Sequence, residues 1–188
     1  MQSMSAHDAK ARFGQLLDTA RREPVTIEKH GRPVAVMLSK EEFDELEAMK
    51  LEATVAEGET YLADKNYAQA VSFYRALAQQ PPRGRDTAAY AAAKAGEGQA
   101  LYLDAAASNK PAQLRQAQLA LAEAVVLDTA GGETTAKATY FHALCLLALG
   151  SERETEDFRS RAMAMLDTVV NQYPSSRWAS EARTARNQ

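Results

Sequence analysis

The stretch from Pro24 to Ser39 is PVTIEKHGRPVAVMLS, and it decides the fold of the first fifty residues. Apolar and polar side chains alternate over residues 25–29, which is typical of a half-buried strand. His30 and Gly31 follow, and glycine tolerates the positive φ that a tight turn requires. Pro33 opens a second apolar run, at a strand start where no ladder donor is needed. The pattern predicts a β-hairpin closed by this turn.

Helices are predicted on both sides of the hairpin. Ser5 and Asp8 have the spacing of a capping box, and so do Ser39 and Glu42. The first box precedes apolar residues with helical periodicity, which predicts one buried face made of Ala9, Phe13, Leu16, Leu17 and Ala20. The second box opens a helix with apolar positions at Phe43, Leu46 and Met49. A short strand at Gln2–Met4 is compatible with this order, which predicts a small α+β domain at residues 1–50.

Charge is unevenly distributed along the chain. Residues 1–40 contain seven Lys or Arg and four Asp or Glu, a net charge of +3, whereas the whole chain carries −3. A basic segment of this kind favours contact with phosphate, although ordinary surface charge explains it equally well. Fifty residues are also too few to bury their own apolar side chains, which indicates a homodimer with a shared core. Two basic segments would then face a two-fold DNA site.

Three N-terminal segments together carry a family resemblance. Residues 5–17 are SAHDAKARFGQLL, residues 24–39 form the hairpin block with its basic turn and Pro-Val-Ala-Val strand, and Glu42-Phe43 follows. This pattern resembles the Phd/YefM antitoxin domain over about the first quarter of the chain. The resemblance implies a homodimer that binds operator DNA and represses its own toxin–antitoxin operon.

The same resemblance implies which residues contact DNA. Lys10 stands where the family has a DNA-contacting arginine in its first helix, and Lys29 matches a second basic residue before the hairpin turn. Lysine keeps the positive charge but loses the bidentate fork of arginine, so phosphate contact is better preserved than base readout. Arg12, His30 and Arg32 are further candidates for phosphate contact. The alternative is that these are solvated charges on a helix and a turn.

The sequence pattern of residues 51–188 predicts helices and almost no strands. The spacing of one tetratricopeptide repeat, a helix pair of about 34 residues, is found at Gly58, Tyr61, Ala70, Tyr74, Leu77 and Pro82. The spacing of its second helix recurs within residues 117–124 and 162–169. The connectors near 108–111 and 150–157 are expected to be longer than in a standard repeat. Gly96 and Gly98 lie in a helical, alanine-rich segment and predict close helix packing.

A final capping helix is predicted at residues 175–182, with Ser175 or Ser176 as its N-cap. The segment therefore resembles tetratricopeptide proteins, and the resemblance implies an all-α solenoid of about three helix pairs plus the capping helix. Stacked pairs of this type form a groove that usually holds a protein partner.

We expect no enzymatic activity, no cofactor and no metal site. His7, His30 and His142 lie far apart in sequence and lack the spacing of metal ligands. Gly131–Glu133 lacks the lysine of a phosphate-binding loop. Cys145 lies in an apolar run, which indicates a buried filler in a reducing compartment. No apolar run approaches the roughly 20 residues of a membrane span, so we expect a cytoplasmic protein that contacts no membrane.

Three interpretations remain open. The leading one is a dimeric, DNA-binding, antitoxin-like transcriptional regulator whose helical-repeat domain binds a protein partner, for which a toxin is one candidate. The alternative is a tetratricopeptide scaffold that uses the N-terminal domain only to dimerise. A third is an artificial or misassembled fusion of two unrelated segments. Selective binding to the DNA upstream of its own gene would separate the first two.

Overall fold

A computed structural model describes residues 2–79, 87–108, 110–128, 131–150 and 156–187. The chain divides into two compact units, Met1–Ala53 and Thr54–Gln188. The boundary falls inside one helix, α3, which extends from Lys40 to Ala63. The first unit contains strands and helices, whereas the described residues of the second form helices and their connections. This confirms the predicted change from an α+β region to an all-helical region.

The first unit is built on a three-stranded sheet. Its elements are β1 (Gln2–Ser5), α1 (Ala6–Ala11), α2 (Phe13–Ala20), β2 (Val25–Lys29), β3 (Arg32–Met37) and the first part of α3. Strand β2 lies in the middle and pairs parallel with β1 and antiparallel with β3. His30 and Gly31 connect β2 to β3 with φ values of 51° and 72°. Positive φ at both positions is the geometry that favours two-residue hairpins, so the predicted turn is confirmed.

The predicted capping box is complete at Ser39, and at Ser5 its N-cap half is present. Ser5 Oγ accepts a hydrogen bond from the amide nitrogen of Asp8 at 3.0 Å and so caps α1. Ser39 Oγ accepts from the amide nitrogen of Glu42 at 3.1 Å, and Glu42 Oε2 accepts from the amide nitrogen of Ser39 at 3.3 Å. This reciprocal exchange satisfies two backbone donors that the start of a helix would otherwise leave unpaired.

The single buried face predicted for residues 9–20 is partly wrong. The helix breaks at Arg12, whose φ of −125° and ψ of 45° are not helical. Residues before and after the break therefore do not share one continuous helical face. Of the five apolar residues expected to be buried, Phe13 and Leu17 remain 54% and 42% exposed, while the other three are buried.

The core of the first unit lies on one face of the sheet. It consists of buried and partly buried side chains from both helices and all three strands, namely Ala9, Leu16, Ala20, Val25, Met4, Ile27 and Met37. Val25 pairs with Met37, and Thr26 pairs with Val36. Because side chains alternate along a strand, Val36 points to the opposite face. That face leaves Val36 exposed.

The second unit is a succession of packed helices. After the end of α3 they are α4 (Tyr67–Ala78), α5 (Ala88–Ser108), α6 (Pro111–Leu127), α7 (Glu133–Gly150), α8 (Glu156–Gln172) and α9 (Arg177–Arg186). From α4 onward each helix packs against the next. Ser176 Oγ accepts a hydrogen bond from the amide nitrogen of Trp178 at 3.1 Å, which confirms the predicted start of the last helix.

The connector near residues 108–111 is shorter than expected. Helix α5 has 21 residues and ends at Ser108, and α6 begins at Pro111. The residues expected to lengthen the connector therefore lengthen α5 instead. Most of the expected 150–157 connector lies outside the described residues, as does Pro82. The tetratricopeptide character of this unit stays a prediction.

The ring of Tyr74 fits between two glycines of neighbouring helices. A Cβ atom at Gly58 of α3 or at Gly96 of α5 would overlap this ring, which is fully buried. Gly98 meets Leu121 of α6 in the same way. These contacts confirm that Gly58, Gly96 and Gly98 allow close helix packing.

Candidate nucleic-acid interface

The five predicted DNA-contacting residues lie on two parts of the first unit. Lys10 is in the last turn of α1, and Arg12 is at the break before α2. Lys29 ends β2, His30 is in the hairpin turn, and Arg32 begins β3. All five are exposed. A phosphate group can therefore reach each of them from solvent.

The sheet topology brings these two parts toward the same end of the sheet, where β1 and β2 finish. Strands β1 and β2 are parallel, and Ser5 pairs with Glu28. Helix α1 begins directly after β1, so its first turn lies beside the end of β2, where the hairpin turn follows. Lys10 is five residues beyond Ser5, about 8 Å along the helix at 1.5 Å per residue. Lys10 and Arg12, at the end of α1, therefore lie on an element that neighbours the hairpin with Lys29 and Arg32.

Four of the candidate cations are available to bind an anion. Among the described residues, Lys10, Arg12, Lys29 and Arg32 have no ion-pair partner. Fully hydrated ammonium and guanidinium groups can exchange their counterions for DNA phosphates, which makes such binding strongly dependent on salt. Arg12 and Arg32 keep the planar fork that suits bidentate contacts, whereas Lys10 and Lys29 act as point charges. The group is therefore suited to contacts with a phosphate backbone.

Two other arginines of the first unit lie elsewhere. Arg21 and Arg22 follow α2 and precede β2, and both are exposed. The first residue of β2, Val25, is at the end of the strand away from the hairpin turn. The positive charge of residues 1–40 is therefore divided between two ends of the sheet, a separation that composition alone could not give.

The first unit also exposes an unusual amount of apolar surface. Seven large apolar side chains are exposed on α2, β3 and the first part of α3, namely Phe13, Leu17, Val34, Val36, Phe43, Leu46 and Met49. In the described part of the second unit, which is more than twice as long, only Leu119 and Val126 are comparably exposed. Exposed apolar patches of this kind usually mark interaction surfaces.

A second charged cluster, in the second unit, is internally paired around the buried Lys137. Glu59 of α3 accepts hydrogen bonds from Lys137 Nζ of α7 at 2.6 Å and from Arg177 Nη2 of α9 at 3.3 Å. Arg177 also pairs with Glu133 at 3.3 Å. These partners lie 78 and 118 residues from Glu59, so no local sequence pattern could have revealed them. The cluster joins three helices of the second unit.

Burial and pairing shift the acid–base behaviour of this cluster. Burial lowers the pKa of Lys137, and attraction to the Glu59 carboxylate offsets this only in part. Burial alone would raise the pKa of Glu59, but the charges and hydrogen bonds of Lys137 and Arg177 outweigh it and lower that pKa. The Glu59 carboxylate thus stabilises the fold in its ionised form.

We expect Glu59→Gln to lower the free energy of unfolding at pH 7 by about 2 kcal/mol, because Lys137 stays buried without its counter-charge. The folded-state pKa of Glu59 lies below its unfolded value of about 4.3. Its contribution is therefore complete above that unfolded value and is lost as pH falls through the folded pKa. Urea unfolding between pH 7 and pH 3 should show the difference from wild type shrinking only below about pH 4.

Glu133→Gln is the matched control for this experiment. Glu133 is exposed and pairs only with the exposed Arg177 among the described residues, so its loss should change stability by less than about 1 kcal/mol. Equal effects of the two substitutions at pH 7 would contradict the assigned role of Glu59.

Other candidate chemistry is weak in this fold. Cys145 is fully buried, and burial raises the pKa of its thiol to about 12, so it is not a reactive nucleophile at neutral pH. Within the described ranges, no three His, Cys, Asp or Glu side chains come together in a way that could hold a metal ion. None of the helices in those ranges is long and apolar enough to cross a membrane.

Comparison with known proteins identifies a family for the N-terminal part of the chain. Residues 1–70 match the family model described as Antitoxin Phd_YefM, type II toxin-antitoxin system. The match covers the whole first unit and continues through α3 to the start of α4. It confirms the resemblance seen in the N-terminal sequence. No curated protein matches the chain, and no solved structure does.

Proposed function

We propose that this protein, whose residues 1–70 match the Phd/YefM antitoxin model, is a dimeric DNA-binding regulator with a helical partner-binding unit. The match is the observation that carries the proposal. It also makes a role in a type II toxin–antitoxin system the leading context. The proposed role is binding without catalysis or a cofactor, and it belongs in the cytoplasm, where operator DNA is accessible.

The dimer is supported by the uncovered apolar surface of the first unit. Seven large exposed apolar side chains in about fifty residues are a cost in solubility that a second copy would remove. A unit of this size also gains little stability from its own small core. Pairing two first units would extend that core and bring two sets of cations together.

DNA contact is supported by the exposed cations on α1 and the hairpin. In a two-fold dimer, each of Lys10, Arg12, Lys29 and Arg32 occurs twice, and His30 adds an imidazole N–H donor at each turn. Repeated cations related by two-fold symmetry match the symmetry of a palindromic operator. We assign the contacts of Lys10 and Lys29 to phosphate, because lysine acts as a point charge and lacks the planar fork of arginine.

A protein partner of the second unit is part of this proposal, and a toxin is one candidate. The hydrogen bonds of Glu59 to Lys137 and Arg177 connect α3, α7 and α9. A partner that entered there would have to break a buried ion pair, which is costly. We therefore place the partner-binding surface on the remaining, exposed faces of the unit, and the tetratricopeptide type of its helix pairs belongs to the same proposal.

A gel-shift titration against the DNA upstream of the gene tests the DNA-binding role. Wild type should bind this DNA in preference to random DNA of equal length, with log K falling linearly with log salt concentration. We expect the double substitution Lys10→Ala and Lys29→Ala to weaken binding about tenfold or more. The salt slope should fall by about 0.9 for each phosphate that the variant no longer neutralises.

A matched control removes two cations from the second unit. Arg159 and Arg183 are exposed on α8 and α9, and their joint replacement by alanine changes the net charge by the same amount. This control should leave affinity and salt slope nearly unchanged. Equal weakening by both double variants would indicate non-specific attraction by net charge and would contradict the assigned interface.

The second candidate function is a scaffold that uses the first unit only to dimerise. The large helical unit favours it, because helical assemblies commonly bind proteins and need no DNA. The same titration separates the two functions, since a scaffold would show no preference for its own upstream DNA.

A further inference from the structure

Helix α6 has an outer face that nothing in the described chain covers. Its inner side buries Leu114, Ala117, Ala120, Leu121 and Ala124. On the outer side, Leu119 is 64% exposed and Val126 is 77% exposed. They are the two large apolar side chains of the described second unit that remain exposed. The feature lies far along the chain from the candidate DNA interface.

These two residues belong to a regular stripe. Ala112, Arg115, Leu119, Ala122 and Val126 follow one another at alternating intervals of three and four residues. That spacing averages 3.5 residues and keeps side chains on one line along a helix, which is the pattern of a helix that packs against another helix. The small Ala112 and Ala122 would allow a second backbone to approach closely.

The charges on this face indicate which helix would pack against it. If two α6 helices pack antiparallel and cross at Leu119, residues that are equally distant from Leu119 on opposite sides face each other. Ala112 then faces Val126, and Arg115 faces Glu123. Arg115 is exposed and has no ion-pair partner in the described ranges. Glu123 holds Lys94 Nζ at 3.1 Å through Oε2, yet its side chain keeps 37% exposure.

A parallel arrangement would be unfavourable. It would place Arg115 directly against its own copy, and like charges at such positions destabilise a helix pair. The antiparallel arrangement replaces this repulsion with two symmetry-related attractions between Arg115 and Glu123, while Leu119 packs against itself at the two-fold axis.

We propose that the outer face of α6 binds α6 of a second copy in an antiparallel, two-fold symmetric contact centred on Leu119. One 17-residue helix presents less area than a standard stable interface of about 800 Å² per partner. The contact is therefore weak between free chains and becomes effective when another interaction raises the local concentration of second units. It concerns a surface separate from the first unit and does not require DNA binding, and it rests on the proposed dimer only for that rise in local concentration.

Thiol cross-linking of the full-length chain tests both the contact and its direction. With a short thiol cross-linker, we expect Leu119→Cys to form covalent dimers at least tenfold faster than Ala164→Cys, an exposed position on α8 that reports random collisions. Val126→Cys and Ala112→Cys should each stay near the collision rate alone. A mixture of those two variants should cross-link to each other. The native Cys145 is fully buried and does not compete.

The possible outcomes separate the proposal from its alternatives. Cross-linking of Leu119→Cys no faster than Ala164→Cys would overturn it and would leave the face to a different protein. Rapid self-cross-linking of Val126→Cys would show a parallel pair and would also overturn it. Each result is read independently of the gel shift, so failure of the DNA-binding role leaves this test intact.

Discussion

Replacing Gly96 with alanine destabilises the second unit by about 3 kcal/mol, even though alanine favours a helix over glycine by about 1 kcal/mol. The added Cβ overlaps the ring of Tyr74, and the ring cannot move away because Gly58 lies against it from another helix. Tyr74 is fully buried, so its neighbours must shift as well. Thermal unfolding followed by circular dichroism should show a midpoint lower by about 10 °C.

Two further variants make this result specific. Gly14→Ala is the same chemical change in a helix of the first unit, and no atom lies within 4 Å of the position that its Cβ would occupy, so it should be neutral or slightly stabilising. In a Tyr74→Leu background, which removes the ring, Gly96→Ala should cost less than about 1 kcal/mol. An undiminished cost in that background would place the strain somewhere other than the Tyr74 contact.

Features that depend on a few adjacent residues were predictable from sequence. The helix starts at Ser5 and Ser39 need only a hydroxyl and a carboxylate three residues apart, and both serines cap their helices. The turn at His30 and Gly31 needs only two positions that accept positive φ. The order of elements in the first unit follows from such local signals together with the alternation of apolar residues.

Features that depend on distant residues were not predictable. The apolar periodicity through Phe13 and Leu17 does not reveal that the helix breaks at Arg12, because the break changes direction without changing composition. The buried charge of Lys137 is stable only because Glu59 reaches it from a helix 78 residues away. No sequence pattern near Lys137 distinguishes it from an exposed lysine.

The candidate interface shows the same division. Its five residues could be named from the family resemblance, and their exposure follows from their places on a short helix and a turn. The parallel pairing of β1 with β2 joins residues more than twenty positions apart. It is this pairing that puts α1 and the hairpin turn at the same end of the sheet. The same pairing puts Arg21 and Arg22 at the opposite end of the sheet.

Replacing Val36 with glutamate should strongly weaken dimerisation and, with it, DNA binding. Val36 is exposed on the face of the sheet that the helices of the first unit do not cover, and its neighbour Val34 is exposed too. A carboxylate buried there between two copies would have no counter-charge, so we expect dimer affinity to fall on the order of 100-fold. Sedimentation equilibrium gives the dimer dissociation constant, and the gel shift reports the coupled loss of DNA affinity.

Three further variants show whether a loss of dimer affinity in Val36→Glu comes from the uncovered apolar surface. Val36→Thr keeps the branched shape and adds no charge, so it should weaken the dimer far less. Ala164→Glu adds the same charge on an exposed part of α8 and should leave dimerisation unchanged. Phe13→Glu tests whether the exposed side of α2 shares the interface. If Val36→Glu and Phe13→Glu both remain dimeric with wild-type affinity, the first unit does not pair through its uncovered apolar surface, and a two-fold DNA interface built on Lys10 and Lys29 loses its physical basis.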